Sequence, residues 1–240
     1  MNKALYDKEI QCPVCKNLFH TKKMRSSAIR IEKRDTDFCV YYNGENPIFY
    51  GVFVCPNCGY AALESVFQEI SPSGKKIVLE KIGTKWTQRD FGSERDAYKA
   101  IEVYKLALLN GQLLNQKKGI IGTLCLRLAW LYRYIHEDRE LDFIEHAANC
   151  FEEAFRYESL PIGNLDEVSL LYLLGELNRR LKKYDEAIDW FNKAVSNPNI
   201  KRKRKLDMLA RDQWSLAKEE YKKQKEKNEA IVYAENEALI

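Results

Sequence analysis

Two short cysteine motifs constrain this chain more than any other feature. Residues 12–15 read CPVC and residues 55–58 read CPNC, and a CxxC turn presents two thiolates on one tight knuckle. The proline of each motif fixes φ and removes a backbone donor, which suits such a knuckle. Because four thiolates complete the tetrahedral shell that zinc prefers, the motifs predict one zinc site. Its predicted ligands are Cys12, Cys15, Cys55 and Cys58.

The two motifs lie farther apart than in the simplest zinc pattern, which separates them by about 15–20 residues. The intervening chain contains the strand-like runs SAIRI, FCVYY and IFYGVFV, separated by turn residues such as YNGENP. Alternating or β-branched runs bounded by turn residues are typical of hairpins. We therefore expect a β-hairpin insertion between the knuckles, with both knuckles meeting at one metal ion.

A closed shell of four thiolates indicates a structural metal, since catalytic zinc keeps an open position for water. Binding free energy at such a site becomes folding free energy for a small domain. His20 is an alternative ligand close to the first motif, while Cys39 lies in an apolar run and is expected to be buried. Iron is the alternative metal, because CPNCG is similar to the CPxCG of rubredoxin and thiolates alone do not separate the two metals.

Composition agrees with a globular protein that holds a metal rather than disulfides. The chain has 45% hydrophobic residues, seven cysteines and a formal net charge of +4. It lacks an apolar run of the about 18 residues that a membrane span needs, and its start lacks the apolar core of a signal peptide. We therefore expect a soluble cytoplasmic protein with no membrane partner.

The hydrophobic pattern predicts an α+β protein with three segments. Residues 1–70 are rich in cysteine, aromatic and β-branched residues, which indicates a small zinc-ribbon-like β domain. Residues 71–92 contain proline, glycine and charge and are expected to form a linker. Helical periodicity occupies residues 93–240, with Ser93 as the expected N-cap.

Small residues recur at helical spacing in the second half of the chain. Residues 166–199 resemble a tetratricopeptide repeat, whose small and aromatic positions let two antiparallel helices approach closely. The positions are Leu174-Gly175, Ala187, Phe191, Ala194 and Pro198. The earlier positions are Leu128-Ala129, Tyr132, Ala147, Phe151 and Ala154, with extra loop residues between the helices, preceded by a half repeat at Ala100, Tyr104 and Ala107.

A further first helix is expected from Leu209-Ala210 to Tyr221, so the pattern predicts a half repeat, two full repeats and a cap helix. An ordinary helical bundle is the alternative. The tail from Lys222 is expected either to extend the cap helix or to hang free, and docking of its AIVYA segment would support an oligomer.

Sequence motifs of common enzymes are missing. His136-Glu137 starts an HExxH pattern, but residue 140 is glutamate, and no phosphate-binding loop, GxGxxG or GxSxG occurs. Cys125 and Cys150 fall on apolar helix faces and are interpreted as packing residues. The sequence therefore predicts a protein that is not an enzyme.

Taken together, CPVC, FCVYY, PIFYGVFVCPNCGYAA and the tetratricopeptide-like helices resemble an uncharacterised bacterial family, domain of unknown function 2225. The resemblance covers most of the chain. It implies a cytoplasmic bacterial protein with a zinc site at Cys12, Cys15, Cys55 and Cys58. The extra loop residues of the first full repeat depart from the tetratricopeptide pattern and affect the geometry expected for its groove.

Two functions remain open at this point. The first is an interaction scaffold that binds a protein or peptide partner on the face formed by the first helix of each pair. The predicted groove residues are Trp130, Arg133, Tyr172, Glu176, Arg179, Arg211 and Trp214, since aromatic and arginine side chains dominate interface hot spots.

The second function is nucleic-acid binding. Residues 16–34 carry seven Lys and Arg side chains against one glutamate, with Phe19, Tyr41, Tyr42 and Phe49 nearby, and KRKRK occupies residues 201–205. Basic side chains track phosphates and aromatic side chains stack on bases. Two observations favour the scaffold. Acidic side chains of the helices nearly cancel the basic charge overall, and KRKRK lies at a helix–helix turn.

Overall fold

The computed structural model describes residues 4–237, and this part of the chain is α+β, as the sequence predicts. The strands are β1 (Leu5–Gln11), β2 (Leu18–Met24), β3 (Ile31–Arg34), β4 (Val40–Tyr42), β5 (Val52–Val54) and β6 (Ala61–Leu63). The helices are α1 (Pro72–Lys81), α2 (Ala97–Leu113), α3 (Lys118–Tyr134), α4 (Glu140–Tyr157), α5 (Glu167–Arg180), α6 (Tyr184–Ser196) and α7 (Arg204–Glu237).

The strands form three antiparallel hairpins, β1–β2, β3–β4 and β5–β6. The first and third hairpins carry the cysteine motifs at their tips, because Gln11 pairs with Leu18 and Val54 pairs with Ala61. Each motif therefore begins directly after a strand and ends just before the returning one. The predicted hairpin between the motifs is β3–β4.

The strand-like runs are only partly strands. SAIRI begins in a short 3-10 turn and ends at the start of β3, and the first half of IFYGVFV is a 3-10 turn at Pro47–Tyr50. Strand β1, LYDKEIQ, carries three charged side chains and was not predicted. It is a strand because β2 pairs with it along its whole length, and that partner lies beyond the range of a local pattern.

Residues 71–92, predicted as a linker, contain α1 (Pro72–Lys81), and part of this segment packs against the cysteine hairpins. Ser71 is the N-cap of α1, since its hydroxyl accepts a hydrogen bond from the backbone N–H of Gly74 at 3.1 Å. Val78 and Ile82 lie in the same hydrophobic cluster as the cysteines, and Trp86 packs on its edge. Pro72 begins a packed helix and Gly83 follows its end, so this segment is not a free linker.

The change from strands to helices is not the boundary between compact units. One unit extends to Ala154 and the other begins at Phe155. The cap of α2 is Asp96, whose carboxylate accepts from the Lys99 N–H at 2.7 Å, so the predicted cap Ser93 precedes the helix. Helix α2 packs on β5 and β6, which joins it to the same core as the hairpins.

Each unit contains a close approach between a glycine and a phenylalanine on neighbouring helices. A Cβ added to Gly122 would lie 2.9 Å from the Phe151 ring, and one added to Gly175 would lie 2.6 Å from the Phe191 ring. Gly175 and Phe191 are the positions that the repeat pattern predicts. In the first unit the approach occurs at Gly122, about two helical turns before the predicted small residue Ala129.

The expected extra loop between the helices of the first pair is largely helix. Helices α3 and α4 are 17 and 18 residues long, whereas α5 and α6 have 14 and 13 residues. The added residues therefore lengthen the helices.

Helix α7 continues the predicted cap helix to Glu237. Residues 238–240 lie outside the described residues, as do the side chains from Ile231 onward that form most of the AIVYA segment. Among the helices that the structure describes, none carries an apolar stretch of the length that a bilayer crossing requires.

Candidate metal centre

The two cysteine motifs form turns with matching backbone hydrogen bonds. In the first turn, Lys16 N donates to Cys12 O at 3.0 Å and Cys12 N donates to Asn17 O at 2.9 Å. In the second, Gly59 N donates to Cys55 O at 3.0 Å and Cys55 N donates to Tyr60 O at 2.8 Å. The identical pattern places both cysteines of each turn on the same side of its hairpin tip.

The residue after the second cysteine adopts a left-handed conformation in both turns. Its φ is +72° at Gly59 and +64° at Lys16. Only the second turn also requires the absence of a Cβ. A Cβ on Gly59 would lie 2.4 Å from the Trp86 ring and 2.9 Å from the Ile82 side chain. Trp86 in turn donates its indole N–H to Pro56 O at 2.7 Å, so it covers the second turn.

The four predicted cysteines meet at one point. Their sulfur atoms all lie within 4.8 Å of one another. Cys12 Sγ is 3.7 Å from Cys58 Sγ, and Cys15 Sγ is 3.6 Å from Cys55 Sγ. A disulfide would bring two sulfurs to about 2.05 Å. Tetrahedral thiolates at about 2.3 Å from zinc would be about 3.8 Å apart, so the cluster has the donor set and the spacing for a four-coordinate metal ion.

The cluster belongs to the hydrophobic core of the first unit. Cys12, Cys55 and Cys58 are buried and Cys15 is half-buried. Phe67 lies in the same core and contacts three other rings, with centroid distances of 6.2, 5.6 and 4.9 Å to Phe19, Phe53 and Tyr60. A metal at this position would link two hairpin tips inside the core that they share with α1.

The charge of the cluster requires compensation. Hydrogen bonds from the thiols of Cys55 and Cys58 lower the pKa of Cys12 to about 4. The thiols of Cys55 and Cys58 have raised pKa values because they donate to Cys12 and because they are buried. The neighbouring thiols thus stabilise the Cys12 thiolate, whereas Cys55 and Cys58 become harder to deprotonate. Four thiolates in this space need a cation, since burial of unpaired charge is costly.

His20 and Cys39, the other metal-binding side chains near the motifs, lie outside the cluster of four sulfur atoms. His20 is on the exposed side of β2, 3.5 Å from the Glu9 carboxylate. Cys39 is buried, as expected, with its sulfur 3.5 Å from the Tyr134 hydroxyl, and burial raises the pKa of its thiol to about 12. Cys125 is buried and Cys150 half-buried, which agrees with a packing role for Cys125.

The predicted groove residues of the first unit are engaged by the loop between β3 and β4. Arg133 donates from Nη1 to Asp35 and Asp37 at 2.9 and 3.0 Å and from Nε to Glu140 at 2.9 Å. Trp130 donates its indole N–H to Asp37 at 3.2 Å. Burial alone would lower the pKa of Arg133, but Asp37 raises it above the ordinary value. These side chains bind the protein's own loop, a contact between distant residues that the sequence pattern did not reveal.

In the second unit the predicted groove residues differ in exposure. Tyr172 is fully buried against Phe191, and Glu176 is buried and paired with Arg179 at 2.9 Å. Arg179 also binds Glu220 of α7 at 3.1 Å.

Two predicted residues lie nearer the surface. Arg211 has 56% of its side chain exposed and pairs with Asp207 of its own helix. Trp214 is half-buried, and its indole N–H has no hydrogen-bond partner within the described chain.

Part of the basic charge in residues 16–34 is matched within the protein. Lys22 pairs with Asp7 at 2.9 Å, Lys23 pairs with Glu64, and Phe19 is buried. In the second cluster, Lys203 contacts Asp166. These pairs reduce the charge that a polyanion could meet.

Arg95 is a structural residue that the sequence did not reveal. It is 4% exposed and donates to the carbonyls of Phe49, Val52 and Phe91 and to the Thr21 hydroxyl. Burial lowers the pKa of its guanidinium to about 10. The hydrogen bonds of Arg95 link the segment before α2 to the hairpins. An arginine in a charged segment carries no local sign of such a role.

Fold and site together define an α+β protein with a buried four-cysteine cluster that could bind a metal ion. Residues 5–217 match DUF2225, a family described as an uncharacterized protein conserved in bacteria. The chain belongs to this family, which confirms the predicted resemblance.

The chain is 27% identical over 181 residues to an uncharacterized protein of Borreliella burgdorferi. The alignment covers 65% of this chain and 61% of that relative, so the chain spans less than two thirds of the relative's length. No solved structure matches the chain.

Proposed function

We propose that the protein is a non-enzymatic interaction scaffold whose N-terminal hairpins are held by a structural zinc ion. The observation that carries the proposal is the closed cluster of four sulfur atoms, 3.6–3.7 Å apart in pairs across the two turns. Cys12, Cys15, Cys55 and Cys58 would hold the ion. Zinc supplies charge compensation and a rigid link between the tips, with no open position for a substrate.

Zinc is favoured over iron because the proposed role is structural. An iron ion in the same thiolates would carry electrons, which requires access for a redox partner. Here three of the four cysteines are fully buried and the half-covered one, Cys15, packs against the same core. Metal analysis and colour separate the two metals, since ferric tetrathiolate absorbs strongly in the visible and zinc does not.

The stabilising role is tested by removing one ligand. Cys58→Ser should lose the metal and lower the thermal midpoint of the first unit, and chelator should lower the midpoint of the native protein in the same way. Cys39→Ser is the matched control, because Cys39 is also a buried thiol but lies outside the cluster. The structural role fails if Cys58→Ser binds no metal yet unfolds at the native temperature.

The scaffold role rests on the helical second unit. We infer tetratricopeptide-like packing for α5 and α6, which the Gly175–Phe191 approach supports. The partner would bind on α7 around Arg211 and Trp214, with Met208, 59% exposed, one turn before Arg211. Methionine, arginine and tryptophan are enriched at protein interfaces.

Affinity purification with Arg211→Glu tests this surface. Partners retained by the native chain should be lost with Arg211→Glu and kept with Arg34→Glu, which reverses an exposed charge on β3. An identical partner set for both variants would refute the proposed surface. Because neither substitution touches the cysteines, this outcome would leave the metal proposal standing.

A further inference from the structure

The first unit contains a second concave site, separate from the cysteine cluster. A cavity of about 390 Å³ opens between the end of β2, the turns at residues 26–29 and 47–51, the end of β6 and the middle of α3. Its size lies within the about 300–1,000 Å³ of small-molecule sites. Met24, Ile29 and Leu63 provide an apolar part of the lining, and Lys23 and Arg127 provide cations.

Arg127 differs from the other charged residues of this lining in its hydrogen bonding. The side chain is half-buried, and among the described residues its hydrogen-bond partner is the Tyr104 hydroxyl, 3.3 Å from Nη1. That hydroxyl already donates to Ile48 O at 2.9 Å. Within residues 4–237 no carboxylate pairs with Arg127, although arginines that leave solvent are normally paired. A guanidinium has more N–H donors than this one bond uses, in a planar fork that fits oxyanions.

The backbone beside Arg127 leaves room for its guanidinium. A Cβ on Gly51 would lie 2.9 Å from Arg127 Nη1 and 2.7 Å from the Tyr104 hydroxyl oxygen. Gly51 itself lines the cavity. The absence of a side chain at this position therefore lets Arg127 and Tyr104 meet at the cavity wall.

The charged side chains of the lining are Lys23, Glu64 and Arg127, so the lining carries a net positive charge. Glu64 is the acidic residue of the lining, and it accepts from both Lys8, at 2.9 Å, and Lys23. Two ammonium groups thus share one carboxylate, and Arg127 adds a cation that no carboxylate matches. Ser26 and Ser65 also line the site, and a serine hydroxyl can donate to an anion.

We propose that this cavity binds a small anionic molecule whose phosphate or carboxylate group contacts Arg127. The apolar part of the ligand lies against Met24, Ile29 and Leu63. The proposal is independent of the metal and of the partner surface on α7, since it rests on different residues.

Calorimetric titration of the metal-loaded full chain tests the site with three probes: phenyl phosphate, benzoate and inorganic phosphate. Saturable binding of phenyl phosphate or benzoate is expected, and the better of the two identifies the anionic group. Weaker binding of inorganic phosphate would show the contribution of the apolar lining. Loss of a charge-assisted contact in Arg127→Gln should weaken binding about 10- to 100-fold.

Arg34→Gln is the control and should bind as the native chain does, since Arg34 lies outside the cavity. Should Arg127→Gln fold poorly, Ser65→Trp at the exposed rim fills the site without removing a core contact and should also abolish binding. The proposal is overturned if none of the three probes binds at millimolar concentration, or if the folded variants bind as tightly as the native chain.

Discussion

Replacing Gly59 by alanine tests the packing of the second cysteine turn. The φ of +72° costs a residue with a Cβ about 1–2 kcal/mol. The new Cβ would also lie 2.4 Å from the Trp86 ring, and overpacking of this kind costs about 1–3 kcal/mol. We therefore expect Gly59→Ala to lower the free energy of unfolding by about 2–5 kcal/mol.

Lys16 provides the matched control in the first turn. It occupies the equivalent position with a φ of +64°, so Lys16→Gly removes backbone strain. The gain is offset by the greater freedom of glycine in the unfolded chain, about 0.4–1 kcal/mol. The net change should be within about 1 kcal/mol of the native protein.

Urea unfolding of the zinc-loaded proteins measures both changes, and Trp86→Ala completes a double-mutant cycle. Without the Trp86 ring, the penalty of Gly59→Ala should fall to the backbone cost of about 1–2 kcal/mol. The reasoning is refuted if Gly59→Ala unfolds within about 0.5 kcal/mol of the native protein, or if its penalty is the same with and without Trp86.

Three further predictions concern other parts of the fold. Arg133→Met should lower the free energy of unfolding in urea by about 3–5 kcal/mol, because it removes the positive charge that pairs with the fully buried Asp37 carboxylate. Adding Asp37→Asn should recover part of this loss, and no recovery would contradict the ion-pair explanation. Gly175→Ala should cost about 1–3 kcal/mol in a thermal melt, because its Cβ would meet the Phe191 ring at 2.6 Å, and an unchanged melt would contradict that contact. Burial would raise the pKa of Glu64, but hydrogen bonds from lysines outweigh it and lower the pKa below the ordinary 4.5. The ionised carboxylate therefore stabilises the fold fully above pH 4.5 and loses this contribution as the pH falls through the folded pKa. The stability difference between native protein and Glu64→Gln should vanish in acid, and a difference independent of pH would exclude this role.

The cysteine cluster was predictable because the residues that form each of its two turns are neighbours in the sequence. Each CPxC motif specifies its own turn, and the chemistry of thiolates specifies that two such turns meet at one ion. The structure confirms that Cys12, Cys15, Cys55 and Cys58 lie together. The predicted α+β class and the helical nature of the chain after residue 96 follow from equally local patterns of apolar and small residues.

Contacts between distant segments were not predictable in the same way. Trp86 lies in a stretch of glycine, lysine and threonine, and only the fold shows that it covers the turn at Pro56. The helical pattern places Trp130 and Arg133 on one face of α3. It does not show that Asp37, nearly a hundred residues earlier, binds both of them.

The sequence pattern also did not predict which residues of two paired helices face each other. The repeat signature pairs Ala129 with the following helix, but the structure places Gly122 against Phe151. Both residues are small and both lie on α3, so size alone does not choose between them.

X-ray absorption at the zinc edge of the purified native protein tests the central claim most directly. A closed structural site predicts one zinc per chain with four sulfur neighbours at about 2.3 Å and no oxygen or nitrogen in the shell. A shell that contains oxygen or nitrogen would contradict the claim, and so would a natively folded protein that contains no metal.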